Sequence, residues 1–591
     1  MKYALFLSAV AIFAQAPPPA PAVKVAPEDL AKLTEAVKPL TAKIAALSKN
    51  PLIADVAIYE KAVRNLLKYN DEFYAANYVQ FANDALAKGL ERAQSIEKGD
   101  PAWTKETGRV MRAYKSKVDD SYQPYKLSIP ANYDSSKPIR LDVILHGRNA
   151  RLTEASFLAV DPKAKPYAQS WIELEVYGRG NNAYRWSGET DVYEAVEAVT
   201  KQYNIDPNQI LLRGFSMGGA GAWHIGLHNP SKWAGIEAGA GFTETIRYAK
   251  RENPAPYERA AMRIYDAVDY SPNIVNTPTV GYGGEIDPQR QASANISEAL
   301  EAEHIRANAI FLTGPQTPHR WHPDSKAESE AFLTKNLPRR MPEKFLFATW
   351  TARYGQVWNW KIAALERMYG RAELSGTRTN VKTKNIAELE LETVSDVTID
   401  GQALKGKAFI KQMNRWEPRT LKPAVRKRAG LQGPIDDAFM ERFLCVTDSP
   451  NAALDTFTAN FEKYFRGNVR TKATKDITKA DINENHLVLW GTPATNKLIA
   501  KVIKDLPVRW TAAEIEVNNQ KFDAKTHTLA LINPNPLNPN KYVVLNSGHT
   551  FDKSDLTGTN ALLYPRWGDW AVIETATGKV KAAGLFDDSW R

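Results

Sequence analysis

Residues 209–219 read Gln209-Ile210-Leu211-Leu212-Arg213-Gly214-Phe215-Ser216-Met217-Gly218-Gly219. An apolar run ends at a glycine, a serine follows one residue later, and Ala220, Gly221 and Ala222 continue in small residues. The order predicts a strand, a tight turn and a helix. On such a turn the serine Oγ is pushed out of the sheet, and glycines stand where side chains would collide with neighbouring backbone. Ser216 is therefore the candidate nucleophile, and the backbone N–H of Met217 lies beside it by position.

The pattern repeats outward from this turn. Alternation over Lys115 to Ile129, then Asp142 to Leu145 and Trp171 to Val176, predicts strands. Thr190 or Asp191 is expected to cap a helix from Val192 to Tyr203, with Glu189 in the same capping role. Further strands are predicted at Pro278 to Gly281 and Ala309 to Leu312. Alternating strands and helices imply a mostly parallel sheet covered on both faces, with ligands at the strands' carboxyl ends.

Nucleophilic chemistry also needs a base, an acid that orients it, and donors for developing negative charge. His319 and His322 follow the last of these strands in Gly314-Pro315-Gln316-Thr317-Pro318-His319-Arg320-Trp321-His322-Pro323. His319 is nearer the strand and is preferred; His322 precedes Pro323 and should open a helix. Asp287, in Gly283-Gly284-Glu285-Ile286-Asp287-Pro288, is preferred as the acid over Glu285. His146-Gly147 ends the strand at Leu145, so the Gly147 or Arg148 backbone N–H is the second candidate oxyanion donor. The segment 178–186 should lie on the cleft rim, where Asn181, Tyr184, Trp186 and, from the base loop, Trp321 are candidate substrate contacts. His224 and His228 are spaced i, i+4 without a third ligand, and no metal or cofactor is expected.

Between Tyr114 and Trp321 the chain resembles α/β-hydrolases of the prolyl oligopeptidase family, and secreted esterases related to polyhydroxyalkanoate depolymerases and feruloyl esterases. The residues that carry the likeness are Leu145-His146-Gly147, Gly214 to Gly219, Gly284-Glu285-Ile286-Asp287 and Pro318-His319-Arg320-Trp321. It implies a serine hydrolase with a Ser216–His319–Asp287 triad acting on a small-molecule, peptide or polymer-linked acyl bond. Prolyl oligopeptidases carry a β-propeller before the hydrolase domain. Here a helical stretch stands in that place.

At 591 residues the chain exceeds a single core. Residues 1–16, with Lys2, an apolar run and Ala14-Gln15-Ala16, read as an export signal, and 17–27 as a Pro-rich linker. A secreted or periplasmic protein without a further membrane span is expected. Residues 28–108 are helical by period, with Pro39 a kink, and 109–341 form the hydrolase domain. A helix plus a small β-sandwich (342–430) and a C-terminal α/β module (431–591) complete the expected organisation. The module contains Gly433 to Phe439, Tyr542 to His549, a helix running to Leu506, and a connector at Asn533 to Asn540.

Net charge is +10, or +9 without Lys2, and the densest basic run is Arg415 to Arg428. No nucleic-acid motif accompanies it, so no nucleic-acid partner is expected. The single cysteine, Cys445, excludes an internal disulfide and reads as a buried hydrophobe. Ester hydrolysis is slightly favoured over peptide hydrolysis. A non-catalytic polymer- or surface-binding protein on the same fold is the third reading.

Overall fold

The computed structural model describes residues 20–159, 168–419, 426–558 and 560–591. The expected export signal and the first residues of the linker lie outside the described residues.

Three helices open the chain: α1 (Pro27–Ala46), which runs through Pro39, α2 (Ala54–Lys68) and α3 (Tyr78–Glu97). Their apolar faces share one core with the sheet that follows. The join is also polar: buried Asp55 on α2 accepts hydrogen bonds from the Ala113 amide (2.7 Å), Arg112 Nε (2.9 Å) and Trp103 Nε1 (3.0 Å). A carboxylate with three donors is stably buried. The helical region is thereby fastened to the edge of the sheet.

That sheet has eight strands: β1 (Gly108–Lys115), β2 (Tyr122–Ile129), β3 (Ile139–Leu145), β4 (Ile172–Val176), β5 (Ile205–Phe215), β6 (Gly235–Gly239), β7 (Thr279–Gly284) and β8 (Ala309–Gly314). Their order is β1-β2-β4-β3-β5-β6-β7-β8, with only β2 antiparallel to its neighbours. This is the α/β-hydrolase fold. The chain leaves β3 to one side for β4 and returns on the other as β5, so a crevice opens at the carboxyl ends of β3 and β5. There Leu145 lies opposite Gly214.

The helix after β4 begins at Ser187 and not at Val192. The loop 178–186 turns sharply through positive-φ residues, ending at Trp186 (φ 59°), which sets the helix start earlier. Glu189, Thr190 and Asp191 therefore lie inside the helix, and none caps it. Glu189 is buried against His224 (3.0 Å) and Tyr354 (2.6 Å); Asp191 is buried beside Tyr114 and Arg179. His228 bonds the carbonyls of His224 and Ile264, and burial lowers the pKa of both histidines.

Residues 345–418 form one continuous sheet and not two facing ones. The long strand Ile386–Ile399 breaks register against Gln402–Gln412 between Glu390 and Ser395; on its other edge the first half pairs with Trp360–Leu365 and the end with Asn380–Lys384, and the sheet encloses one core. The expected helix is only the short turn Ala352–Tyr354.

The C-terminal module has a seven-stranded sheet in the order Thr471–Lys472, Phe443–Val446, His486–Leu489, Asn538–Leu545, His527–Asn535, Trp570–Glu574, Val580–Gly584. The first four run parallel. The helix expected to reach Leu506 is Lys497–Val502, and most of the Asn533 to Asn540 connector is strand, since its backbone pairs across the hairpin. Cys445 is buried, which pushes its thiol up to about 12.

Two cations of the basic run are paired internally: Arg419 with Glu388 (2.6 Å) and Glu390 (2.8 Å), and Lys427 with Asp569. Lys422 lies outside the described residues. Lys427 and Asp569 are both fully buried, and burial holds the Asp569 pKa above the usual carboxylate range. Lys427→Met leaves that carboxylate without its cation and is expected to cost about 3–5 kcal/mol. Urea midpoints measure the loss, and the double variant Lys427→Met, Asp569→Leu is expected to recover most of it.

Candidate active site

The turn after β5 has the predicted form. Ser216 sits at φ 60°, ψ −123°, a conformation that costs a non-glycine residue about 1–3 kcal/mol. Its N–H donates to the Gly239 carbonyl on β6 (2.8 Å), and the helix Met217–His228 begins at once. A Cβ on Gly218 would stand 1.9 Å from the Leu145 carbonyl oxygen, and one on Gly219 2.1 Å from that of Gly239. The helix start is pressed directly onto the backbone of β3 and β6. Only glycine fits.

Two loops at the carboxyl ends of β7 and β8 meet this turn. Asp287 follows β7, is 3% exposed, and accepts the Gln289 amide on Oδ1 (2.9 Å). Its Oδ2 lies 2.7 Å from His319 Nδ1, and His319 Nε2 lies 2.8 Å from Ser216 Oγ. A carboxylate can only accept, so Nδ1 carries the proton and Nε2 faces Ser216 as a base. The structure thus brings Ser216, His319 and Asp287 into one hydrogen-bonded chain. His322 instead caps the helix Pro323–Lys335, and its amide donates to Tyr282 Oη (2.8 Å).

The base loop is held chiefly by Tyr282, a strand residue that no sequence pattern marks. Tyr282 Oη donates to the Arg320 carbonyl (2.8 Å), and its ring stacks on Trp321 at 4.0 Å. Phe215 packs against the His319 ring at 4.8 Å. Glu285, the rejected acid, accepts the Gln316 amide (2.7 Å) and side chain (3.0 Å), tying the acid loop to the base loop. A tyrosine on a buried strand gives no signal of this role in sequence.

Across the turn, Gly147 lies close enough that a Cβ on it would touch Ser216 Cβ at 3.5 Å. The amides of Gly147, Arg148 and Met217 donate to no protein acceptor among the described residues. The Arg148 side chain is not a free surface group. Its guanidinium donates to the Thr557 (3.1 Å) and Gly558 carbonyls of the C-terminal module, and burial lowers its pKa.

The rim expectation fails for two of its four residues. Tyr184 is fully buried, and its hydroxyl takes the His146 amide (2.6 Å), supporting the loop that carries Gly147. Trp186 is 1% exposed and belongs to the C-terminal core, where its Nε1 donates to the Leu563 carbonyl (3.3 Å). Sequence order placed both near the cleft, but the tight loop turns their rings inward. Asn181 and Trp321 remain half-buried. Asn181 is paired with the Asn149 backbone through both ends of its amide.

Two cavities lie beside segments that adjoin the turn, at Arg148 and at Gly241, and neither is lined by Ser216 or His319. One, of about 210 Å³, lies on the Arg148 side between all three neighbouring parts, lined by Asp71, Arg148, Asn181, Lys463, Phe465 and Thr557 among others. The second, of about 170 Å³, lies beside Gly241 and is lined by Phe242, Tyr248, Pro288, Gln289 and Ala292.

Residues 175–275 match the prolyl oligopeptidase family. No curated protein sequence matches the chain. Among solved structures it is similar to the substrate-bound fluorophosphonate-binding serine hydrolase F of Staphylococcus aureus (15% identity, TM-score 0.30, covering 39% of this chain and 99% of that one). It is also similar to a candidate dipeptidyl aminopeptidase IV of Bacteroides ovatus (17%, 0.31, 39% and 36%). A ferulic acid esterase of Anaeromyces mucronatus in complex with ferulic acid is a third (18%, 0.28, 38% and 89%). The family match falls inside the eight-stranded sheet domain, from the end of β4 to the segment before β7.

Asp287→Asn is expected to lower kcat about 10⁴-fold by favouring the wrong imidazole tautomer, while His322→Ala stays within a few-fold of wild type. Steady-state kinetics of the two purified variants check the assignment of His319 over His322. Gly218→Ala is expected to be inactive and to unfold at lower temperature, because its methyl group displaces either β3 or the serine.

Proposed function

We propose that the protein hydrolyses acyl bonds through a covalent intermediate on Ser216. The observation that carries this reading is the chain of hydrogen bonds from Asp287 through His319 to Ser216 Oγ, at 2.7 and 2.8 Å. As Oγ attacks the substrate carbonyl, its proton passes to His319 Nε2, and Asp287 stabilises the imidazolium. The amides of Met217 and of Gly147 or Arg148 receive the negative charge on the carbonyl oxygen. His319 then protonates the leaving group, giving an acyl-enzyme. Water, deprotonated by the same nitrogen, releases the acid and restores Ser216.

Esters are the favoured substrates. Half-buried Phe215 lies beside His319, and the small cavity at Phe242 and Tyr248, walled also by Thr243, Glu244 and Asn295, has room for a compact group. Tyr184 and Trp186 add no face to it, because both rings are buried. Peptide hydrolysis is the second reading, favoured by the prolyl oligopeptidase match over 175–275. Export from the cytoplasm belongs to the proposal too, and rests on the composition of residues 1–16.

Ser216→Ala is expected to abolish fluorophosphonate labelling and to lower kcat by about 10⁶. Residual turnover above a few per cent would remove Ser216 from the mechanism. Substrate class is decided by an unactivated ester, methyl ferulate, set against a peptide library read by mass spectrometry. Turnover of the ester is expected. Defined peptide cleavage without ester turnover overturns the esterase reading.

A further inference from the structure

The C-terminal module repeats, on a different sheet, the topology that makes a crevice in the hydrolase. From Phe443–Val446 the chain goes to one side, to Thr471–Lys472, and returns on the other as His486–Leu489. Ligands of open α/β sheets bind outside the carboxyl ends of strands near such a reversal. A cavity of about 350 Å³ lies at that end of the sheet. Its walls are Phe457 and Phe461 of the helix Ala452–Tyr464, Trp490 after the strand His486–Leu489, and Asn546 to His549 after the strand Asn538–Leu545.

His549 is the distinctive group in this wall. Its side chain is 5% exposed, and Nδ1 lies 3.1 Å from Asp436 Oδ1. Asp436 also accepts the Thr550 amide (2.8 Å) and hydroxyl (2.6 Å), so it is a well-satisfied carboxylate and Nδ1 carries the imidazole proton. That leaves the lone pair on Nε2. This atom is buried and has no hydrogen-bond partner among the described residues. The neighbouring rings are Phe551 (4.8 Å), Phe439 (5.0 Å), Phe465 (5.0 Å) and Trp186 (5.4 Å). Only Trp186 among them has a polar hydrogen, and it is already given to Leu563. A fixed acceptor in an aromatic cage is the arrangement that recognises a flat apolar ring bearing one donor.

We propose that this cavity is a second binding site, separate from Ser216, for a small aromatic ligand whose hydroxyl donates to His549 Nε2. The site also reaches the catalytic loops. Phe465 and Leu556 wall both this cavity and the one beside Arg148. Leu556 sits on the short helix Lys553–Thr557, whose end supplies the Thr557 and Gly558 carbonyls that hold Arg148. A ring seated against Leu556 therefore braces the segment that anchors the oxyanion loop.

The test uses the full chain, with phenol as probe and anisole as the same ring without a donor. Calorimetric titration of Ser216→Ala, which removes the proposed nucleophile, is expected to show one saturable phenol site about tenfold tighter than for anisole, the worth of one hydrogen bond. His549→Phe keeps the ring and is expected to reduce phenol to the anisole level. In wild type labelled with ¹⁵N-histidine, phenol but not anisole is expected to shift the Nε2 resonance of His549, a readout that does not depend on a variant folding. Equal affinities for the two probes, absence of saturable phenol binding, or an Nε2 signal unmoved at saturating phenol overturns the proposal. Because binding is read without the serine, failure of the acyl-enzyme reading leaves this result intact.

Discussion

The close approach of the helix Met217–His228 to the backbone of β3 and β6 is the constraint on which the site depends. Gly218 and Gly219 let peptide groups of three segments meet without side chains between them. That contact holds Ser216 in its strained conformation and brings the Gly147 loop within reach of it. It also leaves the Met217 amide, the first of the helix, without a protein acceptor among the described residues. The groups around Ser216 are arranged about a place where side chains have been excluded.

The second layer of organisation comes from parts of the chain outside the hydrolase domain. Carbonyls of the segment 557–563 accept from Arg148, Arg185 and Trp186, while Asn560 donates to the Asn181 carbonyl. Arg185 is almost wholly buried, has no carboxylate within ion-pair distance among the described residues, and is held between the Phe242 and Tyr265 rings. Burial lowers its pKa. Its charge is tolerated because the C-terminal module presents backbone dipoles to it. Arg179, deeper still, meets Asp119 at 2.7 Å and also reaches the Phe465 carbonyl at 3.3 Å. The cleft is a product of three folded parts.

What was legible in the sequence follows from what is local. The strand, turn and helix around Ser216 were readable because period and glycine placement act over a few residues. Asp287 and His319 were readable because each sits in a loop directly after its strand, and chain order fixes which loops converge. Tyr184 and Trp186 were misread for the complementary reason. The direction of their rings depends on positive-φ turns and on tertiary packing: Tyr184 turns into the core of the first sheet, and Trp186 packs on Tyr265 and, from the C-terminal module, on His549 and Phe551. Tyr282 and Phe215 looked like ordinary strand residues, and their hold on the base loop is a tertiary fact. The continuous sheet of residues 345–418 was hidden because a register break in a long strand leaves alternation almost unchanged on either side.

The arginines anchored at 557–563 bear on how this chain can be divided. By sequence texture the hydrolase ends near residue 341, a natural place to cut. A fragment cut there would carry Arg148 and Arg185 without the carbonyls that solvate them, and Trp186 without its core. The boundary between architectures is thus not a boundary between independent parts. In exchange of domains between proteins, the unit that keeps its working order is the hydrolase together with its C-terminal partner.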